Sequence, residues 1–171
     1  MDIRNSYWKL MAKVKFDCFY ILLHYNHSLR WDKRTNIFLA IMSGSTIAGW
    51  AFWEKYKFLW VLLLTLFQII NVIEPYLPYS TRVEQLFEYK CELNDLYLKI
   101  ERNWIRITKE EYTETEIIDL IYGYKEKLND FEKKYMKGDF LKNKHIIKET
   151  AREQTEEYMK NILGGIKHAE D

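Results

Sequence analysis

The chain has only two prolines and six glycines in 171 residues. Proline removes a backbone donor and glycine supplies the positive φ that tight turns need, so few sharp turns are possible. A turn-rich fold is excluded, and long helices with short joints are expected. Cysteine is equally scarce. Cys18 and Cys91 stand far apart and unaccompanied, which excludes a disulfide framework, and both read as small buried apolar residues. No Gly-rich phosphate loop, nucleophile elbow, HExxH, CxxC or pair of catalytic carboxylates occurs. His24 and His27 lie three residues apart, but no further ligands at metal-site spacing accompany them. No enzyme activity, cofactor or metal is expected. Charge of one sign is missing as well. Glu110-Glu111 lies on a solvated face at a helix start and Lys133-Lys134 alternates with acids, and nucleic-acid binding would want a one-sign stripe, so no direct nucleic-acid contact is expected.

Long uncharged runs are present. Thr35 to Trp53 carries no charge, and after Glu54, Lys55, Tyr56 and Lys57 a second run extends from Phe58 to Ile73. As helices these runs are about 28 Å and about 24 Å long, against a hydrocarbon core of about 30 Å. A four-residue joint between two spanning helices permits only an antiparallel hairpin. Trp50, Trp53, Tyr56, Phe58 and Trp60 cluster at its turn, where aromatic side chains suit a membrane–water boundary.

The mean hydropathy of −0.38 averages two unlike halves. Residues 1–78 hold nine basic and five acidic residues, and residues 79–171 hold 17 and 20. The basic half contains the hairpin, which suits a protein lying against an anionic leaflet.

Residues 6–33 have helical periodicity. Tyr7, Met11, Val14, Cys18, Ile21, Tyr25 and Leu29 form one apolar row, and Trp8, Ala12, Phe16, Phe19 and Leu23 a second. A broad apolar face with basic residues and Trp is what an interfacial helix needs, and it also suits packing on the C-terminal helices. Arg30, Trp31, Lys33 and Arg34, with Trp53 and Tyr56 at the far end, are the candidate interface anchors. In the first span, Ala40, Gly44 and Ala48 form one row of small residues, and Ser45 and Gly49 another. These are candidate helix-packing positions, within the hairpin or between subunits. In the second span Thr65, Gln68, Asn71 and Glu74 form a polar arc, either a hydrogen-bonded seam between helices or the lining of a wet path.

Pro75 and Pro78 end the hairpin. Thr81 with Glu84 has capping-box spacing, and a helix is expected to about Arg106 with Val83, Leu86, Leu93, Tyr97, Ile100 and Trp104 as its apolar positions. Thr113 with Glu116 makes a second capping box, with Tyr112 stapled onto Ile117. Ile117, Ile121, Tyr124, Leu128, Phe131 and Tyr135 then form a heptad seam that Gly138 closes. Ile147, Ala151, Tyr158 and Ile162 continue such a row in the last helix, and residues past Gly165 should fray. The spacing thus predicts helices over 6–33, 35–53, 57–77, 81–106, 114–137 and 144–163.

The expected protein is all-α and membrane-bound. It has an amphipathic interfacial helix (1–34), a two-helix transmembrane hairpin (35–78), a cytoplasmic helical bundle or hairpin (79–165) and a frayed tail (166–171). The N-terminus lacks a secretory h-region, so insertion is expected to use the hairpin itself. Arg30, Lys33, Arg34, Arg82 and Lys90 flank it against Lys55 and Lys57 in the turn, which places both termini in the cytoplasm.

The basic helix at 7–34, the hairpin 35–77 with its four-residue turn and the charged helix from Thr81 together resemble the SLATT superfamily over about residues 6–106. These are bacterial two-transmembrane effector domains found beside nucleotide-generating or nucleotide-sensing proteins. The resemblance implies a homo-oligomer in the inner membrane that perturbs it in a pore-like way, in antiviral defence, once a cytoplasmic sensor or nucleotide-signalling partner is triggered. This chain departs from the pattern in carrying two further helices after residue 113. Two other readings of the residues are a membrane anchor whose cytoplasmic helices scaffold a partner protein, and a soluble helical protein with a buried hairpin.

Overall fold

The computed structural model describes residues 2–44, 57–73, 79–136, 141 and 145–168. The described residues form α1 (Ile3–Gly44), α2 (Lys57–Ile73), α3 (Tyr79–Thr108), α4 (Glu114–Tyr135) and α5 (His145–His168), with no strand among them. The all-α class follows from the scarcity of helix breakers.

Several boundaries differ from expectation, and α3 already runs from Tyr79, so Thr81 lies inside it and does not open it with a Thr81–Glu84 capping box. Separate helices over 6–33 and 35–53 are replaced by a single α1 through residue 34. Residues 3–43 contain neither proline nor glycine, so nothing interrupts the backbone ladder. The Thr35 hydroxyl donates to the Trp31 carbonyl at 3.1 Å instead of capping a new helix. Asp2 opens α1 by accepting the Arg4 amide at 3.0 Å. The last helix extends to His168, past the predicted fraying point at Gly165.

The chain divides into two compact units, Met1–Tyr25 with Gln85–Asp171, and Asn26–Glu84. The first is a helical bundle built from the start of α1, most of α3, α4 and α5. Contacts set its directions. Tyr7 meets Ile100 and Trp104, Cys18 meets Leu93, and Tyr25 meets Phe87, so α1 and α3 run antiparallel. Asn103 meets Tyr124 and Glu92 meets Lys134, so α3 and α4 are antiparallel too, as their short connection requires.

The core contains Tyr7, Met11, Val14, Leu93, Tyr97 and Ile100 at its most buried positions, joined by Ile117, Ile121, Tyr124 and Leu128 of α4. The heptad seam of α4 is therefore an intramolecular one. In α5 the buried row is Ala151, Thr155 and Met159, one residue away from the expected Tyr158 position. The Thr155 hydroxyl is satisfied by the Ala151 carbonyl at 2.6 Å, which lets a polar residue occupy that row. The Thr113–Glu116 capping box forms as the sequence predicts. Gly138 lies outside the described residues.

The end of α3 departs from helix-stop rules. The Glu111 amide donates to the Arg106 carbonyl and the Glu110 amide to the Ile107 carbonyl, both at 3.1 Å. This is the Schellman pattern, and it puts Glu110 at φ 61, where glycine is usual. Glu110→Gly should therefore raise stability by about 0.5–1 kcal/mol in urea melts, less a small loss from the exposed Arg4–Glu110 ion pair.

Candidate functional site

In the second unit α2 presents one continuous apolar face to the outside. Phe58, Val61, Leu62, Leu66, Ile69 and Val72 are all exposed, Phe58 to 83%. On the α1 segment of this unit Ile37 and Ile41, one turn apart, are exposed to 60% and 63%. The run from Phe58 to Ile73 has no charged residue, so this surface lacks the polar partners of an ordinary aqueous helix. No helix among the described residues is long and apolar enough to cross a membrane; α2 has 17 described residues, about 25 Å.

Thr65 and Gln68 of the polar arc are both exposed. At about 100° per residue Thr65 falls within the apolar face and Gln68 at its margin. The Thr65 hydroxyl donates to the Val61 carbonyl at 2.8 Å, so its polarity is absorbed by its own helix. Gln68 has an amide that must find partners wherever this face is covered. Asn71 continues the helix, with its side chain outside the described set, and Glu74 lies outside the described residues. Of the small-residue rows, Ala40 is exposed on α1 and Gly44 is its last residue, while Ser45, Ala48 and Gly49 lie outside the described residues.

Among the anchors, Arg30, Trp31, Lys33 and Arg34 lie exposed around about one turn of α1. Arg30 Nε donates to the Asn26 carbonyl at 3.2 Å, and Trp31 Nε1 donates to His27 Nε2 at 3.3 Å with the indole 55% exposed. Such a collar of amphipathic and basic side chains suits a polar–apolar boundary. Trp53 and Tyr56 lie outside the described residues.

The first unit holds a polar arrangement that the sequence reading did not single out. The Lys15 ammonium lies 3.7 Å from the Tyr158 ring centroid, 4.3 Å from that of Tyr97 and 5.0 Å from that of Phe19. Glu101 accepts the Tyr158 hydroxyl at 2.8 Å behind the cage. Desolvation lowers the Lys15 pKa. The cage ties α1 to α3 and α5 through cation–π contacts. Its only trace in the sequence is a lysine placed between apolar rows.

A cavity of about 350 Å³ opens beside this bundle, lined by Lys13, Asp17, Tyr20, Tyr89, Glu132 and Met136 among others. Burial pushes the Asp17 carboxyl up to about 6, Lys13 opposes the shift and Glu132 adds to it.

Cys18 is half-buried, its thiol pushed up to about 12 by desolvation, with Sγ 3.7 Å from the Leu93 carbonyl oxygen. Cys91 is exposed, which corrects the expectation that both cysteines are buried. It lies on the side of α3 opposite the bundle core. His24 is buried and meets Tyr20 edge-on at 4.6 Å. No group of three or more metal-ligating side chains occurs among the described residues.

Comparison with protein families, characterised proteins and solved structures gives no match to this chain.

Proposed function

We propose that the chain is a bacterial membrane effector. In this reading residues 35–78 enter the inner membrane as a helical hairpin, and copies associate there and perturb the bilayer in a pore-like way. The observation that carries it is the outward apolar face of α2 with Gln68 at its margin. A contiguous apolar surface of this kind, on a helix with no charged residue after Lys57, marks a surface meant for lipid or for another apolar helix. A buried amide in lipid requires hydrogen-bonding partners, and the same residue on neighbouring copies supplies them. The basic and aromatic collar at residues 30–34 would sit at the cytoplasmic boundary, with both termini on that side. The bundle of the first unit would be the cytoplasmic part, open to a sensor or nucleotide-signalling partner, and antiviral defence is the role that the family resemblance adds.

The test is membrane potential in bacteria induced to express the chain, with a triggered partner supplied where one is found. Wild type should depolarise the cells. Gln68→Leu combined with Asn71→Leu should insert equally well, because both changes raise hydrophobicity, and should leave the potential within about a tenth of the uninduced value. Gly44→Leu should do the same by adding bulk where helices approach. An intact potential with wild type fully inserted would sink the effector reading and leave the anchor reading, in which the cytoplasmic bundle scaffolds a partner. Recovery of wild type in the soluble fraction would sink both.

A further inference from the structure

We propose that the cavity between α1, α3 and the end of α4 is a binding site for a primary ammonium group carried on a short apolar body. Its lining belongs wholly to the first unit, so the proposal does not rest on the membrane reading. A volume of about 350 Å³ is at the small end of ligand cavities, which run from about 300 to 1,000 Å³. Lys13, Asp17, Tyr20 and Ile21 share one face of α1, Tyr89 comes from α3 and Glu132 from the last turn of α4. Tyr89 is the decisive group. It is only 5% exposed and its ring stacks on Tyr135, yet its hydroxyl has no hydrogen-bond partner among the described residues. The charges of Asp17 and Glu132 both act on that hydroxyl, so it lies on the acidic side of the cavity. A buried hydroxyl without a partner costs free energy that a bound polar group recovers.

The chemistry of the lining selects the ligand. Neither the Asp17 nor the Glu132 carboxylate makes a hydrogen bond or an ion pair among the described residues. Lys13 is the one cation among the described lining residues, it is exposed, and it pairs with neither of them. One cation against two ionised carboxylates leaves a negative charge uncompensated. Burial pushes the Asp17 carboxyl up to about 6 despite Lys13, so at neutral pH it carries a poorly solvated charge. A bound cation relieves that charge, whereas a phosphate or another anion would meet two carboxylates. A primary ammonium offers three N–H donors and no acceptor. Asp17, Glu132 and the Tyr89 hydroxyl oxygen are three acceptors for them. A quaternary ammonium has the charge but nothing to donate. Ile21, Met136 and Leu141 supply an apolar wall, which suits an apolar body behind the charged head.

Calorimetric titration of the full chain in non-ionic detergent micelles near neutral pH tests this, with phenethylamine as the probe. Phenylacetate and 2-phenylethanol carry the same ring on an anionic or a neutral head. Phenethyltrimethylammonium keeps the charge and loses the N–H donors. Phenethylamine should bind saturably at one per chain, and each of the other three at least about tenfold more weakly. Asp17→Asn should weaken phenethylamine at least about tenfold, and Tyr89→Phe about threefold or more. Both variants keep the shape of the side chain they replace, so folding is checked by urea midpoints no lower than that of wild type. Absence of saturable binding, binding unchanged by Asp17→Asn, or equal affinity for any of the three other probes would overturn the proposal. Loss of depolarisation in the Gln68 and Asn71 variant leaves this titration untouched, so the two proposals fail separately.

Discussion

Tyr7→Ala is expected to remove about 4 kcal/mol of stability, and Tyr7→Phe about 1 kcal/mol. The Tyr7 side chain is fully buried. Its ring stacks on Trp104 with centroids 6.1 Å apart and meets Tyr124 edge-on at 6.4 Å. Its hydroxyl donates to the Ile100 carbonyl at 2.9 Å. Truncation to alanine leaves a void between α1, α3 and α4, and the aromatic contacts are lost with the transfer energy. The phenylalanine change removes only the hydroxyl, and the Ile100 carbonyl keeps its position in the α3 ladder. Burial pushes the Tyr7 phenol far above its ordinary range, so it stays a donor through any mildly alkaline titration. Urea midpoints of the two variants measure the difference. If α1 instead lay in a headgroup layer, away from α3, neither change would move the midpoint by more than a few tenths of a kcal/mol.

That alternative was open at the level of sequence for a physical reason. Tyr7, Met11, Val14 and Ile21 recur at helical spacing, and periodicity alone says that one face is apolar without saying what covers it. Helix identity was readable because breakers are absent and the Thr113–Glu116 box is a local signal. The seam Ile117, Ile121, Tyr124 and Leu128 was readable because each position is strongly apolar. In α5 the spacing places Ala151 in the buried row but favours part-buried Tyr158 over Thr155, because Thr155 hides its polarity in an intrahelical bond to Ala151. Continuity of α1 through residue 34 was missed because a cluster of charges looks like a boundary, while the backbone ladder requires only that no proline or glycine intervene.

The candidate site was legible in part. Phe58 to Ile73 announces its apolarity, but whether Thr65 and Gln68 turn inward or outward depends on the rotation of α2, which its uniform hydrophobicity leaves undetermined. The Lys15 cage is a tertiary fact. The cage joins residues more than 140 positions apart.

Asp17→Asn is expected to stabilise the protein at neutral pH by up to roughly 3 kcal/mol and to remove a pH dependence between about 4 and 6. The Asp17 carboxyl faces the cavity beside Tyr20 and Tyr89, and burial raises its pKa from 3.8 to about 6. Glu132 adds to the shift and Lys13 only partly offsets it. A carboxyl that holds its proton more tightly when folded favours the folded state at low pH. In the window between 3.8 and about 6 the folded chain binds more protons than the unfolded one, so wild-type stability falls as pH rises through that window and is level above it. The displacement, at about 1.4 kcal/mol per pH unit, sets the upper limit. Asparagine keeps the shape of the protonated acid and cannot ionise. Variant and wild type should therefore unfold at similar urea concentrations near pH 4 and diverge steadily to pH 6.5, with the variant the more stable. Glu132→Gln should reproduce part of the gain by removing the like charge. A wild type whose stability rises between pH 4 and 6, with Asp17→Asn losing stability at pH 7, would mean that Asp17 is held ionised by Lys13 and that desolvation is not the dominant influence on it.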